Sequence, residues 1–203
     1  MTPARYAMNG QELGGLYSYH ELAEMLGSVG DDVCVNRSVV FYAAKNIHLG
    51  SHVRIDCFCV ISAGPAGVEI EDYAHIGAHC TLIGSAGRIH MEPFSALSAN
   101  ACLFTATEDY SGGAMITPTV PSRYRNTRTG DLTLKRHAVV GCGSVLLPGV
   151  TLGLASSVGA LSLVSGSVPD FTVVFGNPAR KVGRRDPRVL DLEREFLSGE
   201  ANY

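Results

Sequence analysis

Four side chains in this sequence could accept or orient a proton during a reaction. Glu108 and Asp109 are adjacent acids within segment 104–131, which is rich in polar residues, tyrosine and arginine. His75 and His79 lie upstream of them, separated by three residues. A carboxylate or a neutral imidazole can remove a proton from a nucleophile, so these residues are candidates for general-base chemistry. Whether they serve one site depends on how the surrounding chain folds.

A six-residue hydrophobic period organises the chain on both sides of that segment. Apolar residues recur at every sixth position, and between Leu49 and Met91 every third step widens to nine, so that Leu49, Ile70 and Met91 begin successive repeats. Three hexapeptides per repeat predict a three-sided solenoid, in which each residue lies above its counterpart one repeat away. The frame is Val29, Val35, Phe41, Leu49, Ile55, Ile61, Ile70, Ile76, Leu82, Met91, Leu97, Leu103, Leu134, Val140, Leu146, Leu152, Val158 and Val164.

The corners of such a solenoid require compact residues. A small side chain stands four positions after most of the inward apolar residues, as at Ala74, Cys80, Ser95, Ala101, Ala138, Ser144, Ser156 and Ser162. Glycine often follows the apolar residue directly, where neighbouring coils would leave no room for a Cβ atom. Cys59 and Cys80 occupy equivalent corners, so we interpret both as fillers rather than reactive thiols.

The repeat also predicts three outward columns of side chains. His48, Glu69 and His90 form the first, which fits either a hydrogen-bonded surface ladder or a site at a subunit boundary. The other two are Arg54, His75 and Ala96, and Phe58, His79 and Asn100. The two candidate histidines therefore project outward from the solenoid.

Two helices are predicted outside the repeat. Ser18 and Glu21 form a capping-box pattern before an apolar run, and Asp186 precedes a second amphipathic stretch in which Val189, Leu190, Leu192, Phe196 and Leu197 are expected to pack. We divide the chain into residues 1–28 with a capping helix, 29–175 as the solenoid with a loop insertion at about 105–133, and 176–203 as a closing turn and C-terminal helix.

Composition limits the possible partners. With 46% apolar and 17% charged residues, the 203-residue chain can bury a substantial core. A net charge of -3 offers no broad basic face, so neither nucleic acid nor a membrane surface is expected as a partner. “MTPARYAMNGQELGG” lacks the apolar core of a signal peptide, so we expect a cytoplasmic location. Six cysteines without a CxxC pair argue against a zinc site.

The repeat of an aliphatic residue, glycine and a small residue resembles the hexapeptide-repeat family, whose fold is a left-handed parallel β-helix. This resemblance covers about residues 29–170, and the hand of the helix comes with it. “VVGCGSVLLPGVTLG” (139–153) and “VFGNPARKV” (174–182) are similar to stretches of sugar acetyltransferases in that family. The resemblance implies an acetyl-CoA-dependent acyltransferase that forms a homotrimer with sites between neighbouring solenoids. The implied coenzyme A contacts are Gly141, Ser144, Ser162, Asn177, Pro178, Arg180 and Lys181.

Segment 104–131 carries the finer resemblance. Many sugar O-acetyltransferases of the family have a histidine here, whereas this segment has none. “EDYSGG” and “TPTVPSRYRN” are similar to the nucleotide-sugar N-acetyltransferases of the dTDP-4-amino-4,6-dideoxyglucose type. A neutral amine attacks a thioester unaided, which fits the missing base. The implied amine-orienting or proton-accepting candidates are Glu108 and Asp109, with His75 and His79 as rivals. Candidates for stacking on the base or binding the pyrophosphate are Tyr110, Arg123, Tyr124 and Arg125.

These resemblances imply acetyl transfer to the amino group of a nucleotide-linked amino-deoxysugar in surface-polysaccharide synthesis, without a metal cofactor. Three alternatives stay open. An O-acetyltransferase would need His75 or His79 as its base. A γ-type carbonic anhydrase would need a third zinc-binding histidine, and none is evident. A scaffold without catalysis would not need the Pro-Gly-Val and Asn-Pro-Ala stretches.

Overall fold

The computed structural model describes residues 15–200, whose parallel strands form the three faces of a left-handed β-helix. The first face consists of Ser28–Val29, Ile47–Leu49, Val68–Ile70, Ile89–Met91, Leu132–Leu134 and Thr151–Leu152. The second consists of Cys34–Val35, Arg54–Ile55, His75–Ile76, Ala96–Leu97, Val139–Val140, Ser157–Val158, Thr172–Phe175 and Arg180–Arg184. The third consists of Val40–Tyr42, Val60–Ala63, Thr81–Gly84, Cys102–Phe104, Val145–Leu146 and Leu163–Val164. Residues 1–14 of the predicted N-terminal segment 1–28 lie outside the described residues.

The register between coils confirms the predicted repeat. On the first face His48 pairs with Glu69, and Glu69 pairs with His90. The predicted column through His75 is confirmed in the same way on the second face. Later coils lack the corner inserts, so Val139 pairs with Ser157 at a shorter chain separation. Outward side chains thus form continuous columns along the solenoid, as the period requires.

The corner cysteines lie inside the solenoid. Cys59 and Cys80 have no exposed surface, and their thiols donate to the carbonyl oxygens of Gly77 and Ser98, each at 3.1 Å. The hydrogen bond with Cys59, together with burial, raises the pKa of the Cys80 thiol. A protonated, enclosed thiol is a poor nucleophile, so the corner position explains Cys80 without a redox role.

Glycine allows neighbouring coils to approach closely. A Cβ atom on Gly141 would lie 2.5 Å from the backbone nitrogen of Ala160, and one on Gly77 would lie 2.9 Å from that of Ala99. Both obstacles are backbone atoms, which cannot move aside without separating two coils. The predicted exclusion of side chains at these positions is confirmed.

The N-terminal helix Tyr19–Met25 begins at the predicted capping box. The backbone N–H and hydroxyl of Ser18 donate to Glu21 Oε2 at 2.8 and 2.7 Å, and the Glu21 N–H donates back to Ser18 Oγ at 3.3 Å. Arg37 Nη2 donates to the same carboxylate at 2.7 Å. Leu22 is fully buried and joins the hydrophobic core. The helix is therefore fixed to the first coil by both polar and apolar contacts.

The C-terminal helix Val189–Glu200 packs on a stack of rings at one corner. Tyr73 and Phe94 stack with centroids 4.8 Å apart, and the Phe196 ring meets them edge-on at 5.4 and 6.1 Å. Glu193, which is only 8% exposed, bonds to Nε2 of His137 at 2.8 Å. These contacts attach the helix along the length of the solenoid.

The packing face of this helix differs from the predicted one. Leu192 and Leu197 were expected to pack, but they are 48% and 43% exposed. Glu193 takes the inner position because its carboxylate is paired with the Arg136 guanidinium and hydrogen-bonded to the His137 ring. No helix within residues 15–200 is long and apolar enough to span a lipid bilayer.

Candidate active site

Segment 104–131 folds back on itself as a polar loop beside the third face. Its ends form a short antiparallel pair in which Ala106–Thr107 lies against Arg128–Thr129, and Ser122–Tyr124 form one turn of 3₁₀ helix. The pairing brings the acids at the start of the loop next to residues 125–127 at its end. Two sequence stretches that are distant along the chain thus form one cluster.

Glu108 is held through both of its carboxylate oxygens. Arg125 Nη1 donates to Oε1 at 3.3 Å, and the Thr127 hydroxyl donates to Oε2 at 3.0 Å. The side chains of Glu108 and Arg125 are only 22% and 23% exposed. The carboxylate is consequently oriented and partly shielded from solvent, while each oxygen keeps lone pairs for a further hydrogen bond.

Asp109 has a different environment from its neighbour. Hydrogen bonds from the hydroxyl and backbone N–H of Ser111, followed by one from Asn126, lower the pKa of Asp109 to about 2. The backbone bond measures 2.9 Å, and Asn126 Nδ2 lies 3.0 Å from Oδ2. Such a weakly basic carboxylate is a poor proton acceptor near neutral pH, so the contacts of Asp109 favour a role in shaping the loop.

A groove of about 550 Å³ lies within the loop. Its walls are Gly112, Gly113, Ala114, Met115, Arg123, Tyr124, Arg125 and Asn126. The Arg123 guanidinium lies 4.7 Å from the centre of the Tyr124 ring, and Nη2 donates to the phenol oxygen at 3.2 Å. Among the described residues, the buried Nε of Arg125 has no hydrogen-bond partner. Tyr110 is 82% exposed and does not line the groove.

The two candidate histidines have partners on the solenoid rather than in the loop. His75 Nε2 lies 2.9 Å from Asp56 Oδ2, and Arg54 Nε donates to Asp56 Oδ1 at 2.7 Å. Partial burial opposes ionisation of Asp56, but the hydrogen bonds from His75 and Arg54 outweigh it and lower the pKa of Asp56. His79 is exposed at a corner and stacks on Phe58 at 4.9 Å.

The predicted coenzyme A contacts fall into two groups. Ser144 and Ser162 are buried at corners, where both hydroxyls donate to the carbonyl oxygen of Gly159, at 3.0 and 2.7 Å. Both hydroxyls therefore have hydrogen-bond partners inside the solenoid, and the two side chains offer almost no exposed surface to a ligand. Gly141 is partly exposed on the second face. The remaining group is exposed at the closing hairpin and consists of Asn177, Pro178, Arg180 and Lys181.

The outward ladder on the first face is hydrogen-bonded. Arg88 pairs with Glu69, and His90 pairs with Glu71. The ligand atoms of Glu69, Glu71 and His90 lie within 4.8 Å of one another, and each is already engaged by a partner in the ladder. These contacts support the prediction of a surface ladder.

Sequence reasoning missed three residues of these clusters. Asn126 and Thr127 contact the paired acids only because the loop closes, and no periodic signal marks residues inside an irregular loop. Asp56 could have been found, since it stands two positions after Arg54 and therefore next to the predicted column that contains His75.

Comparison with known proteins places this geometry in context. No family model matches the chain. The dTDP-4-amino-4,6-dideoxy-D-glucose acyltransferase of Escherichia coli is 39% identical over 177 residues, covering 87% of this chain and 92% of that protein. AntD, an N-acyltransferase from Bacillus cereus solved with dTDP and 3-hydroxybutyryl-CoA, superimposes with a TM-score of 0.89 at 35% identity, covering 94% of this chain and 100% of that one.

A variant of AntD solved with dTDP-4-amino-4,6-dideoxyglucose and coenzyme A gives a TM-score of 0.88 at 35% identity, covering 92% of this chain and 99% of that one. The likeness thus extends over nearly the full length of each relative, and it accompanies the same solenoid fold. The chain belongs to the hexapeptide-repeat acyltransferases of the dTDP-4-amino-4,6-dideoxyglucose acyltransferase type, and it is an acyltransferase.

Proposed function

We propose that this enzyme transfers an acetyl group from acetyl-CoA to the amino group of a nucleotide-linked amino-deoxysugar, with dTDP-4-amino-4,6-dideoxyglucose as the acceptor. The observation that carries the proposal is the near full-length similarity to the Escherichia coli acyltransferase of that name. Support also comes from AntD, which was solved with the same sugar nucleotide. The product would serve surface-polysaccharide or O-antigen synthesis in the cytoplasm.

The reaction does not require the protein to activate the amine nucleophile with a general base. The neutral amine attacks the thioester carbonyl, the C–N bond forms, and the C–S bond breaks as coenzyme A leaves as a thiolate; the amine nitrogen loses one proton, and the thiolate takes up one. We assign the amine-orienting role to Glu108, because its carboxylate is fixed and half-enclosed. Asp109, with a pKa of about 2, is the weaker candidate for accepting a proton.

The loop groove offers a site for the nucleotide. The positive charges of Arg123 and Arg125, which both line the groove, suit a pyrophosphate, and the Tyr124 ring suits a pyrimidine face. This arrangement supports recognition of a nucleoside diphosphate rather than a free sugar.

Binding of coenzyme A is assigned to Gly141 and the exposed closing hairpin. There Asn177 and Pro178 form the turn, and Arg180 and Lys181 supply positive charge for phosphate groups. The side chains of Ser144 and Ser162 support this region from within, since their hydroxyls bind its corner.

Arg180→Ala tests this assignment. We expect the KM for acetyl-CoA to rise about 3- to 10-fold while kcat changes less than about 2-fold, because a phosphate contact remote from the thioester stabilises ground and transition states alike. Steady-state kinetics with varied acetyl-CoA would measure both constants. Arg194→Ala, on the C-terminal helix, provides the control. An unchanged KM for acetyl-CoA would remove Arg180 from the site.

We further propose that the enzyme is a homotrimer, because the grooves between neighbouring solenoids would complete sites that one chain only begins. Sedimentation is expected to give three times the chain mass of 21.5 kDa at micromolar concentration. A fully active monomer under the same conditions would contradict this proposal.

The direct test of function uses purified enzyme with acetyl-CoA and dTDP-4-amino-4,6-dideoxyglucose. Thiol release should depend on the sugar nucleotide, and mass spectrometry should show one added acetyl group per sugar. A panel of longer acyl-CoA donors, including 3-hydroxybutyryl-CoA, would settle the donor. Thiol release at the background rate with every donor would contradict the proposal.

One observation favours a second candidate, O-acetylation of a sugar hydroxyl. Asp56 and His75 form a hydrogen-bonded pair in which the carboxylate could orient the imidazole as a base. His75→Ala should then abolish turnover without changing acetyl-CoA binding. The same variant should remain active if the acceptor is an amine.

A further inference from the structure

Within the proposed function, which assigns Glu108 to the sugar amine, we infer that Thr127 is a positioning residue acting through Glu108, with Arg125 as its partner. Thr127 holds one carboxylate oxygen at 3.0 Å, and Arg125 holds the other at 3.3 Å. A glutamate fixed at one oxygen can still rotate about its terminal bond. One fixed at both presents its remaining lone pairs in a single direction.

The backbone of the loop makes this arrangement specific. Thr107 pairs with Arg128 in the antiparallel strands. The next residues beyond this pair, Glu108 and Thr127, therefore lie opposite each other and are joined by a hydrogen bond between their side chains. Asn126 binds Asp109 from the same stretch. Consecutive residues 125–127 thus hold the two acids in alternation, and the threonine hydroxyl contacts the acid that is half-enclosed.

The contact also changes the interpretation of Arg125. Sequence analysis assigned this residue to substrate binding, whereas its Nη1 is directed to Glu108. Arg125 is also one of the residues that line the groove, so the same side chain borders both the carboxylate and the groove. Thr127 contacts Glu108 but does not line the groove. A substitution at Thr127 therefore tests the positioning of Glu108 without removing a residue of the nucleotide site.

Thr127→Val keeps the shape of the side chain and removes the hydroxyl, so it is the informative variant. We expect kcat with acetyl-CoA and dTDP-4-amino-4,6-dideoxyglucose to fall about 5- to 10-fold, the effect of losing one hydrogen bond of ordinary strength at an exposed position, with the KM for acetyl-CoA unchanged. Thr127→Ser should restore kcat. Thr129→Val, two residues along the same strand and exposed, should behave as the parent enzyme.

A double-mutant cycle with Glu108→Gln shows whether Thr127 acts through Glu108. Thr127→Val should lower kcat less than about 2-fold when Glu108 is already glutamine, and the melting temperature should stay unchanged. An equal loss of kcat in both backgrounds would mean that the threonine only stabilises the loop, and would overturn the inference. So would an unchanged kcat for Thr127→Val while Glu108→Gln is impaired. If Glu108→Gln itself retains full activity on the amino sugar, the role of Glu108 fails and this inference with it, whereas the acyl-transfer assignment stands.

Discussion

The enzyme is expected to acetylate dTDP-4-amino-4,6-dideoxyglucose and to use its 4-hydroxyl analogue about 100- to 10,000-fold more slowly, the range that a positioned general base contributes. A hydroxyl needs such a base to become nucleophilic, whereas an amine needs only to be neutral. The rate should therefore rise with pH toward the pKa of the sugar amine. Competition between the two acceptors, followed by mass spectrometry, would measure the ratio directly.

Substitutions at the acids complete this prediction. Glu108→Gln should lower kcat about 10- to 100-fold and still leave measurable turnover, because it removes an orienting charge and not an obligatory base. Asp109→Asn should retain more activity than Glu108→Gln, because an aspartate with a pKa of about 2 is a poor proton acceptor and its loss removes no base from the reaction. His75→Ala should be close to the parent enzyme. Efficient acetylation of the hydroxyl analogue, together with an inactive His75 variant, would establish O-acetylation instead.

Gly141→Ala is expected to lower the free energy of unfolding by about 2 to 4 kcal/mol. The new Cβ atom would lie 2.5 Å from the nitrogen of Ala160 and 2.8 Å from the carbonyl carbon of Gly159, so two coils would have to separate. Glycine at this position has an ordinary backbone conformation, so the whole effect comes from contact. Urea unfolding of the apo enzyme would measure the change.

Gly166→Ala is the matched control, because a Cβ atom there would meet no atom within 4 Å. Its stability should change by less than about 0.5 kcal/mol. Equal destabilisation by both variants would show that coil spacing is not the constraint at Gly141. A loss confined to Gly141 would also show that this motif glycine is required for packing before any ligand binds.

The solenoid could be predicted in detail because its geometry is periodic. A six-residue period fixes which residues lie above one another, so the sequence alone predicts one column for His48, Glu69 and His90, and the strand register confirms it. The C-terminal helix was less predictable. Its apolar stripe favours Leu192 as a packing residue, but the inner face includes Glu193, whose carboxylate bonds to the Arg136 guanidinium and the His137 ring on a coil distant in sequence.

The candidate site was predictable only at the level of residue types. The repeat predicts Ser144 and Ser162 as corner residues, whereas the family resemblance implies coenzyme A contacts for the same two residues, and only their hydrogen bonds inside the solenoid separate the two roles. Arg125 was assigned to the substrate because an arginine beside tyrosine suits a nucleotide. Its contact with Glu108 forms because the loop closes and brings together two residues that are 17 positions apart. Residues inside an irregular loop follow no repeat, so the sequence pattern does not predict this contact.

The C-terminal helix alters how the solenoid can come apart. A coil in a repeat fold touches only its immediate neighbours, so the coils of a simple solenoid can unzip one after another from an end. Here Phe196 rests on Tyr73 and Phe94, and Glu193 binds His137 one coil further on. The C-terminal helix therefore joins three successive coils, and these three coils cannot separate from one another until the helix has detached.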